Sequence, residues 1–301
     1  MPARPSIIES RRSRRVRFPG GNGFDLAGIV DLPTAGPHDF VGDGDAPREE
    51  TAEETVAVDA VALRSPVVVF SHCFTCNKDL KAIVRLGRAL AGEGIAVLRY
   101  DMTGLGSSDG DFSHSNFTTN LADLRAAIDF ATPELGPVTG LLGHSFGGAA
   151  SLAVAGDVAG LPPSLRAVAS LAAPSDTQHL AALMVKMNPA IASEGAGEVE
   201  IGGRRWTIRR EMLDDFRSHR LDRLIANISL PLMLLHSPVD RTVGFDHALR
   251  IMQLASLRRD TSPPPAVSLV ALDGADHLLS ENPDDLSYVA GLLASFFWRH
   301  R

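Results

Sequence analysis

Val138-Thr139-Gly140-Leu141-Leu142-Gly143-His144-Ser145-Phe146-Gly147-Gly148-Ala149-Ala150-Ser151-Leu152-Ala153-Val154 is the stretch on which the reading of the fold turns. An apolar run, Val138 to Leu142, leads into Gly143-His144-Ser145-Phe146-Gly147, and a small-residue segment, Gly148 to Val154, leads out. A strand that turns sharply into a helix at a serine holds the hydroxyl clear of the fold, beside a base and next to backbone donors. The glycines two residues to either side leave room for that turn to pack, and Gly148 adds a third small residue where the helix passes close to the sheet. Ser145 is therefore the candidate nucleophile. Gly106-Ser107-Ser108-Asp109-Gly110 has the same spacing. It follows a turn and leads into the polar run Asp111 to Asn116, so without a strand before it or a helix after it Ser108 is not expected to act.

Outward from this stretch, short apolar runs alternate with helix-length segments from Pro66 onward. The runs are Val67 to Phe70, Ile95 to Tyr100, Val138 to Leu142, Ala167 to Leu171, Leu232 to His236 and Val267 to Leu272. Helical patterns lie between or after them at Lys78 to Ala91, Phe117 to Ala131, Phe146 to Ala159, Phe245 to Leu257 and Pro283 to Trp298. Such alternation predicts an α/β fold with a mostly parallel central sheet flanked by helices. Before it, Arg15 to Phe18 and Phe24 to Leu32, separated by Pro19-Gly20-Gly21-Asn22-Gly23, predict a β-hairpin.

Two segments interrupt the rhythm. Between Asp39 and Asp59 stand eight acids against the single Arg48, with almost no aromatic content, so residues 39–62 are expected to be a solvated acidic insertion. From Ser175 to Ser229 the chain spends about fifty residues on one connection, far beyond the 2–6 usual in α/β units. That interval carries an amphipathic stretch (His179 to Met187), a hairpin around Gly202-Gly203 (Glu198 to Arg209) and a charged helix (Arg210 to Leu224). A lid over residues 175–229, shaping the substrate pocket and excluding water, is the expectation.

Composition bounds the function. A net charge of −7 argues against nucleic acid as the main partner, since phosphate contacts need clustered Lys and Arg. No apolar run approaches the ~18 residues of a membrane span. Six arginines fall in the first seventeen residues, but no apolar segment follows them, so residues 1–14 are expected to be a basic disordered tail rather than a secretory signal. Residues 15–301 then form one domain. Cys73 and Cys76 are too few for a disulfide framework and read as two small thiols in a reducing, cytoplasmic compartment.

A serine nucleophile needs a base, and the base needs an orienting carboxylate. His277, in Gly274-Ala275-Asp276-His277-Leu278, follows the last strand and so falls on the same sheet edge as Ser145. Asp240 follows the preceding strand, giving the chain order Ser145, Asp240, His277. Asp176, after the strand that precedes the long connection, competes for the acid role. The oxyanion donors are expected to be the backbone N–H of Phe146 and one from Ser71-His72-Cys73-Phe74-Thr75-Cys76, with Phe74 preferred and Cys73 the alternative. His72 reads as a loop-bracing residue, and His144 is expected to point away from the nucleophile. The spacing of Cys73 and Cys76 also admits a redox reading, whereas zinc would need two further ligands that no motif supplies. Gly104-Leu105-Gly106-Ser107-Ser108 lacks a phosphate-binding pattern, and no cofactor or metal is expected.

With these residues in place, residues 15 to 300 resemble the α/β-hydrolase superfamily, which implies the α/β-hydrolase fold. More narrowly, Ser71-His72-Cys73-Phe74-Thr75-Cys76-Asn77-Lys78-Asp79-Leu80, Tyr100-Asp101-Met102-Thr103-Gly104-Leu105-Gly106 and Leu272-Asp273-Gly274-Ala275-Asp276-His277-Leu278-Leu279 look like the hydrolase half of α/β-hydrolase/OsmC fusion proteins. The wider group is similar to serine aminopeptidase-like and acyl-ester hydrolases. The OsmC-type peroxidase partner does not follow the last helix, so no hydroperoxide-reducing role is expected, and the acidic insertion departs from the pattern. Together these imply a serine hydrolase cleaving a small-molecule carboxylic ester through an acyl-enzyme, with Trp206 and Phe216 hinting at an apolar acyl pocket. Acyl transfer or amide cleavage by the same three residues is the alternative, and a redox-sensing or binding protein on a hydrolase scaffold is the non-enzymatic one.

Overall fold

The computed structural model describes residues 13–33, 65–256 and 265–301. The acidic insertion at 39–62 and most of the basic tail lie outside the described residues. Ser13 and Arg14, counted with that tail, are instead the first residues of strand β1 (Ser13–Pro19), which pairs antiparallel with β2 (Asp25–Asp31).

Six parallel strands continue the sheet. They are β3 (Val67–Ser71), β4 (Ala96–Tyr100), β5 (Val138–His144), β6 (Ala167–Leu171), β9 (Leu232–His236) and β10 (Val267–Ala271), in the spatial order β1-β2-β4-β3-β5-β6-β9-β10. A separate hairpin, β7 (Ala196–Ile201) with β8 (Arg204–Arg209), lies in the long connection. Every residue of β3, β4, β6 and β9 is buried, because crossover helices cover both faces of a parallel sheet.

The pleat divides the core in two. Val67 and Val69 face one side with helices α2 (Phe117–Leu135) and α3 (Phe146–Gly156), while Val68 and Phe70 face α1 (Lys81–Gly92) and α9 (Pro283–Arg299). Helix α3 is buried at every position, which its small side chains permit. Asn116 closes a capping box with Thr119 at the start of α2, and Asn282 caps α9 ahead of Pro283.

The connection from β6 to β9 holds α4 (Gln178–Met187), α5 (Ala190–Glu194), the β7–β8 hairpin, α6 (Arg210–Ser218) and α7 (Leu221–Ala226). One charged helix was expected from Arg210 to Leu224; the structure has two. The chain leaves helical geometry at His219 (ψ 133°) and Arg220 (ψ 63°). There His219 Nε2 meets Thr118 Oγ1 at 3.0 Å, Asp215 receives the N–H groups of Phe117 and Thr118, and Ser218 Oγ bonds the Asp215 carbonyl. The bonds to Phe117 and Thr118, about a hundred residues away and announced by no local pattern, hold the break. Helix α8 (Phe245–Ser256) then precedes β10.

Ser108, the serine of the second glycine–serine motif, donates to the Asp101 carbonyl at 2.7 Å and accepts the Ala27 N–H at 2.8 Å. It ties a loop to the sheet. Among the described residues no helix is long and apolar enough to cross a membrane.

Strand β2 is fastened to β4 by a buried ion pair, Arg99 Nε to Asp31 Oδ2 at 2.7 Å, with both side chains about 1% exposed. Removing Asp31 leaves the buried Arg99 guanidinium with only the exposed Asp79, 3.6 Å away, as counterion, a loss of about 3 kcal/mol, the low end for a broken buried pair. Asp31→Ala is expected to lower the unfolding free energy in urea by about 3 kcal/mol; a loss under about 1 kcal/mol would show that the site readmits water.

Candidate active site

Ser145 stands between β5 and α3 with φ 53° and ψ −118°, a left-handed backbone that a residue with a Cβ rarely adopts. Its N–H bonds the Leu171 carbonyl of β6 at 2.8 Å, which holds the turn to the sheet. The flanking glycines answer a spatial demand. A Cβ on Gly143 would lie 2.2 Å from the Gly147 carbonyl oxygen, and one on Gly147 would lie 2.3 Å from that of Ser71. Close approach here sets the first turn of α3 directly against the loop after β3. As the first residue of α3, Phe146 has an N–H with no partner within the helix.

His277 lies in the loop after β10, and its Nδ1 is 2.7 Å from Asp240 Oδ2 in the loop after β9. The other carboxylate oxygen of Asp240 receives the N–H groups of Thr242 (2.8 Å) and Val243 (3.0 Å). Burial pushes the Asp240 carboxyl up, but the bond to His277 and the two backbone N–H groups outweigh it and hold the group below the usual carboxylate range. Asp176 is placed differently. Its Oδ1 accepts the His179 N–H at 2.8 Å and so caps the start of α4. Asp276 folds the loop after His277 by accepting from the N–H groups of Leu278, Ser280 and Glu281.

Ser145, Phe146, Phe74 and His277 line one cleft of about 850 Å³. Helix α4 forms an apolar wall through Leu180, Leu183, Met184 and Met187, and Ile201 of the hairpin adds to it. Trp206 and Phe216, expected to mark the acyl pocket, turn elsewhere. Phe216 is fully buried against Phe74 and Phe146, and Trp206 packs on Phe112 at 4.8 Å between ring centres.

Two histidines brace this arrangement, His72 as the sequence leads us to expect and His144 through a bond it does not show. His72 accepts the Met102 N–H at Nε2 (3.2 Å), so its Nδ1 carries the proton donated to the Cys73 carbonyl (2.8 Å). His144 does not merely point away: its Nε2 donates to the His277 backbone carbonyl at 2.8 Å. Nothing local in the sequence could show that bond, which joins β5 to a loop 133 residues later. The two cysteines expected as free thiols are joined, Cys73 to Cys76, across the loop that carries Phe74. Their three-residue spacing brings the sulfurs together once the loop makes the turn that the Cys76 N–H closes on the Cys73 carbonyl.

The profile described as the alpha/beta hydrolase family matches residues 68–287. The chain belongs to that family. Among solved structures, the hydrolase is 35% identical to the esterase domain of a Rhodothermus marinus protein, with 96% of this chain and 98% of that one covered at a TM-score of 0.66. Est1E from Butyrivibrio proteoclasticus, solved with ferulic acid bound, is 19% identical over 95% of this chain and 99% of that one (TM-score 0.67). An α/β serine hydrolase of Xanthomonas campestris without a lid is 18% identical over 99% and 97% (TM-score 0.57). The latter two show the shared fold. No curated protein matches the sequence. These likenesses concern the hydrolase superfamily and carry nothing about an OsmC partner.

His144 also gives the hydrolase a measurable acid response. Burial, and then the neighbouring His277, push its pKa down from 6.5 to about 3, and its Nδ1 has no hydrogen-bond partner among the described residues. The unfolded chain takes up this proton near 6.5 and the folded chain only near 3, so the stability tied to neutral His144 is whole above 6.5 and is lost as pH falls toward 3. His144→Gln, which keeps a donor for the His277 carbonyl, is expected to flatten the fall in urea-unfolding free energy between pH 6.5 and 4.5. Equal slopes in the two proteins would mean that this histidine does not set it.

Proposed function

We propose that this hydrolase is a serine esterase that works through an acyl-enzyme, with Ser145 as nucleophile, His277 as base and Asp240 as the orienting acid. The observation that carries the proposal is the 2.7 Å bond from Asp240 to His277 Nδ1, made in a cleft that Ser145 also lines. A carboxylate kept ionised fixes the Nδ1–H tautomer and leaves Nε2 free to accept a proton. The 35% identity to an esterase domain supports the same reading.

The steps follow from the groups present. Ser145 Oγ attacks the ester carbonyl while its proton passes to His277 Nε2. The oxyanion is held by the N–H groups of Phe146 and Phe74, both already part of fixed turns, so little reorganisation is needed as charge develops. His277 then protonates the departing alcohol, and water deacylates the serine by the same route in reverse. An alcohol leaves more readily than an amine, which makes an ester the default substrate over an amide.

Residues 175–229 act as the lid, since α4 and the β7–β8 hairpin supply one wall of the cleft. Leu183 and Met187 are 36% and 43% exposed, an apolar face that an apolar acyl group would cover. Substrate is then a small-molecule ester with an apolar acyl part.

Ser145→Ala is expected to lower ester turnover by roughly 10⁴ to 10⁶-fold with the melting temperature unchanged, and near-normal turnover would remove Ser145 from the chemistry. Asp240→Asn is expected to cost about 10³ to 10⁴-fold in kcat and Asp176→Asn only a few-fold; the reverse order would reassign the acid. Leu183→Ala should reduce kcat/KM for long-chain acyl esters by about tenfold while sparing acetyl esters. Equal losses on both would move the acyl site off α4.

A further inference from the structure

Cys73 and Cys76 are joined in a disulfide, and the two residues between them are Phe74, the oxyanion donor proposed above, and Thr75. The Cys76 N–H bonds the Cys73 carbonyl at 3.2 Å, so a covalent bond and a backbone turn close the same four residues. Thr75 stands at φ 59°, in the left-handed region that a β-branched residue is rarely found in. The chain would leave that conformation if nothing held it. Besides the cross-link, the hold includes the Cys76 N–H bond to the Cys73 carbonyl, the Thr75 hydroxyl bond to the Phe74 carbonyl at 2.6 Å, the His72 bond to the Cys73 carbonyl and the packing of the Phe74 ring on Phe112, Phe146 and Phe216. The aromatic contacts fix a side chain and the hydrogen bonds are each reversible; the cross-link is the covalent tie on the backbone that carries the proposed Phe74 donor.

The two sulfurs are not equally placed. Cys73 is 4% exposed, whereas Cys76 is partly exposed, and both line the cleft with Ser145 and His277. A small molecule entering the cleft meets Cys76 first. We propose that the Cys73–Cys76 disulfide is an exchange site for small thiols, through which their redox state sets the rate of this hydrolase: the cross-linked chain is the fast form and the dithiol chain the slow one. The coupling to rate rests on the esterase reading above; the exchange site itself does not.

The exchange balances with thiol as the reductant. A thiolate RS⁻ attacks Cys76 Sγ, the S–S bond breaks, and Cys73 leaves as a thiolate that takes up a proton. A second RS⁻ attacks the small-molecule sulfur of the mixed disulfide, RSSR departs, and the Cys76 thiolate is protonated. Two thiols are oxidised to one disulfide, and the protein gains two thiols. Excess RSSR reverses both steps. In the dithiol form Thr75 is released from its left-handed geometry, and the Phe74 N–H loses its fixed direction toward the oxyanion.

The test equilibrates the 301-residue chain with glutathione mixtures from fully oxidised to fully reduced. Three readings are taken in each: cysteines alkylated by iodoacetamide without denaturant, steady-state kinetics on an acyl ester, and the number of serines titrated by a fluorophosphonate. We expect two alkylated cysteines to appear over the same range in which kcat falls about tenfold, a fraction of the 10² to 10³ lost with a whole oxyanion donor. KM should change less than about twofold, the fluorophosphonate should count the same number of sites, and reoxidation should restore the rate. The double variant Cys73→Ser with Cys76→Ser, which has no thiol left to exchange, should turn over at the reduced enzyme's rate and ignore glutathione. If no cysteine is alkylated in excess reduced glutathione, the cross-link is purely structural and the exchange site is overturned. If both cysteines are alkylated at constant kcat, or if kcat falls only because titratable sites vanish, the coupling is overturned. Should neither redox form turn over ester or take up fluorophosphonate, the esterase reading fails and the coupling with it, while the alkylation count still decides the exchange site.

Discussion

The packing of the first turn of α3 onto the loop after β3 is the constraint from which the rest of the site follows. With no Cβ at residue 147, the helix comes within contact of the Ser71 and His72 carbonyls. That approach brings Phe146, the Phe74 loop and Ser145 to one cleft. The cost is carried by Ser145 itself, held at φ 53°. Strain of this kind persists only where the surroundings over-determine it. Here they do so through the Leu171 carbonyl, the fully buried α3 and the sheet on either side of β5.

Around this turn the protein keeps its histidines in different states by giving each a different set of partners. His277 meets a carboxylate, His72 is spent between a carbonyl and an N–H, and His144 is buried as a neutral donor to a carbonyl. Neutral His144 matters beside His277, because a second positive charge there would oppose the imidazolium that the proposed mechanism forms. Asp240 is buried too, yet it stays ionised because three hydrogen bonds compensate the desolvation. One environment thus serves opposite charge requirements, and hydrogen-bond supply decides which group is charged.

Much of this was legible in the chain. Strands β3, β4, β6 and β9 were readable because full burial makes each one a nearly continuous apolar run, and the β5–α3 turn because glycine spacing records where backbones must approach. Sequence reading failed where partners lie far apart. The break at His219 and Arg220 depends on Thr118, the anchoring of His277 depends on His144, and the apolar wall of the cleft is built by α4 rather than by the aromatic residues Trp206 and Phe216. The cysteine pair failed for another reason: composition gives the expected redox compartment, but only the turn between Cys73 and Cys76 shows that the sulfurs meet.

By itself, then, the sequence determined the order of elements, the elbow at Ser145 and the loops that carry Asp240 and His277, because periodicity and glycine placement are local records of burial and backbone shape. Tertiary structure decided which acid meets His277, which histidines stay neutral, what lines the cleft and that Cys73 and Cys76 bracket Phe74 in a closed turn. Those outcomes depend on distances between residues remote in the chain and on the water excluded between them, and neither quantity is written in any local stretch of residues.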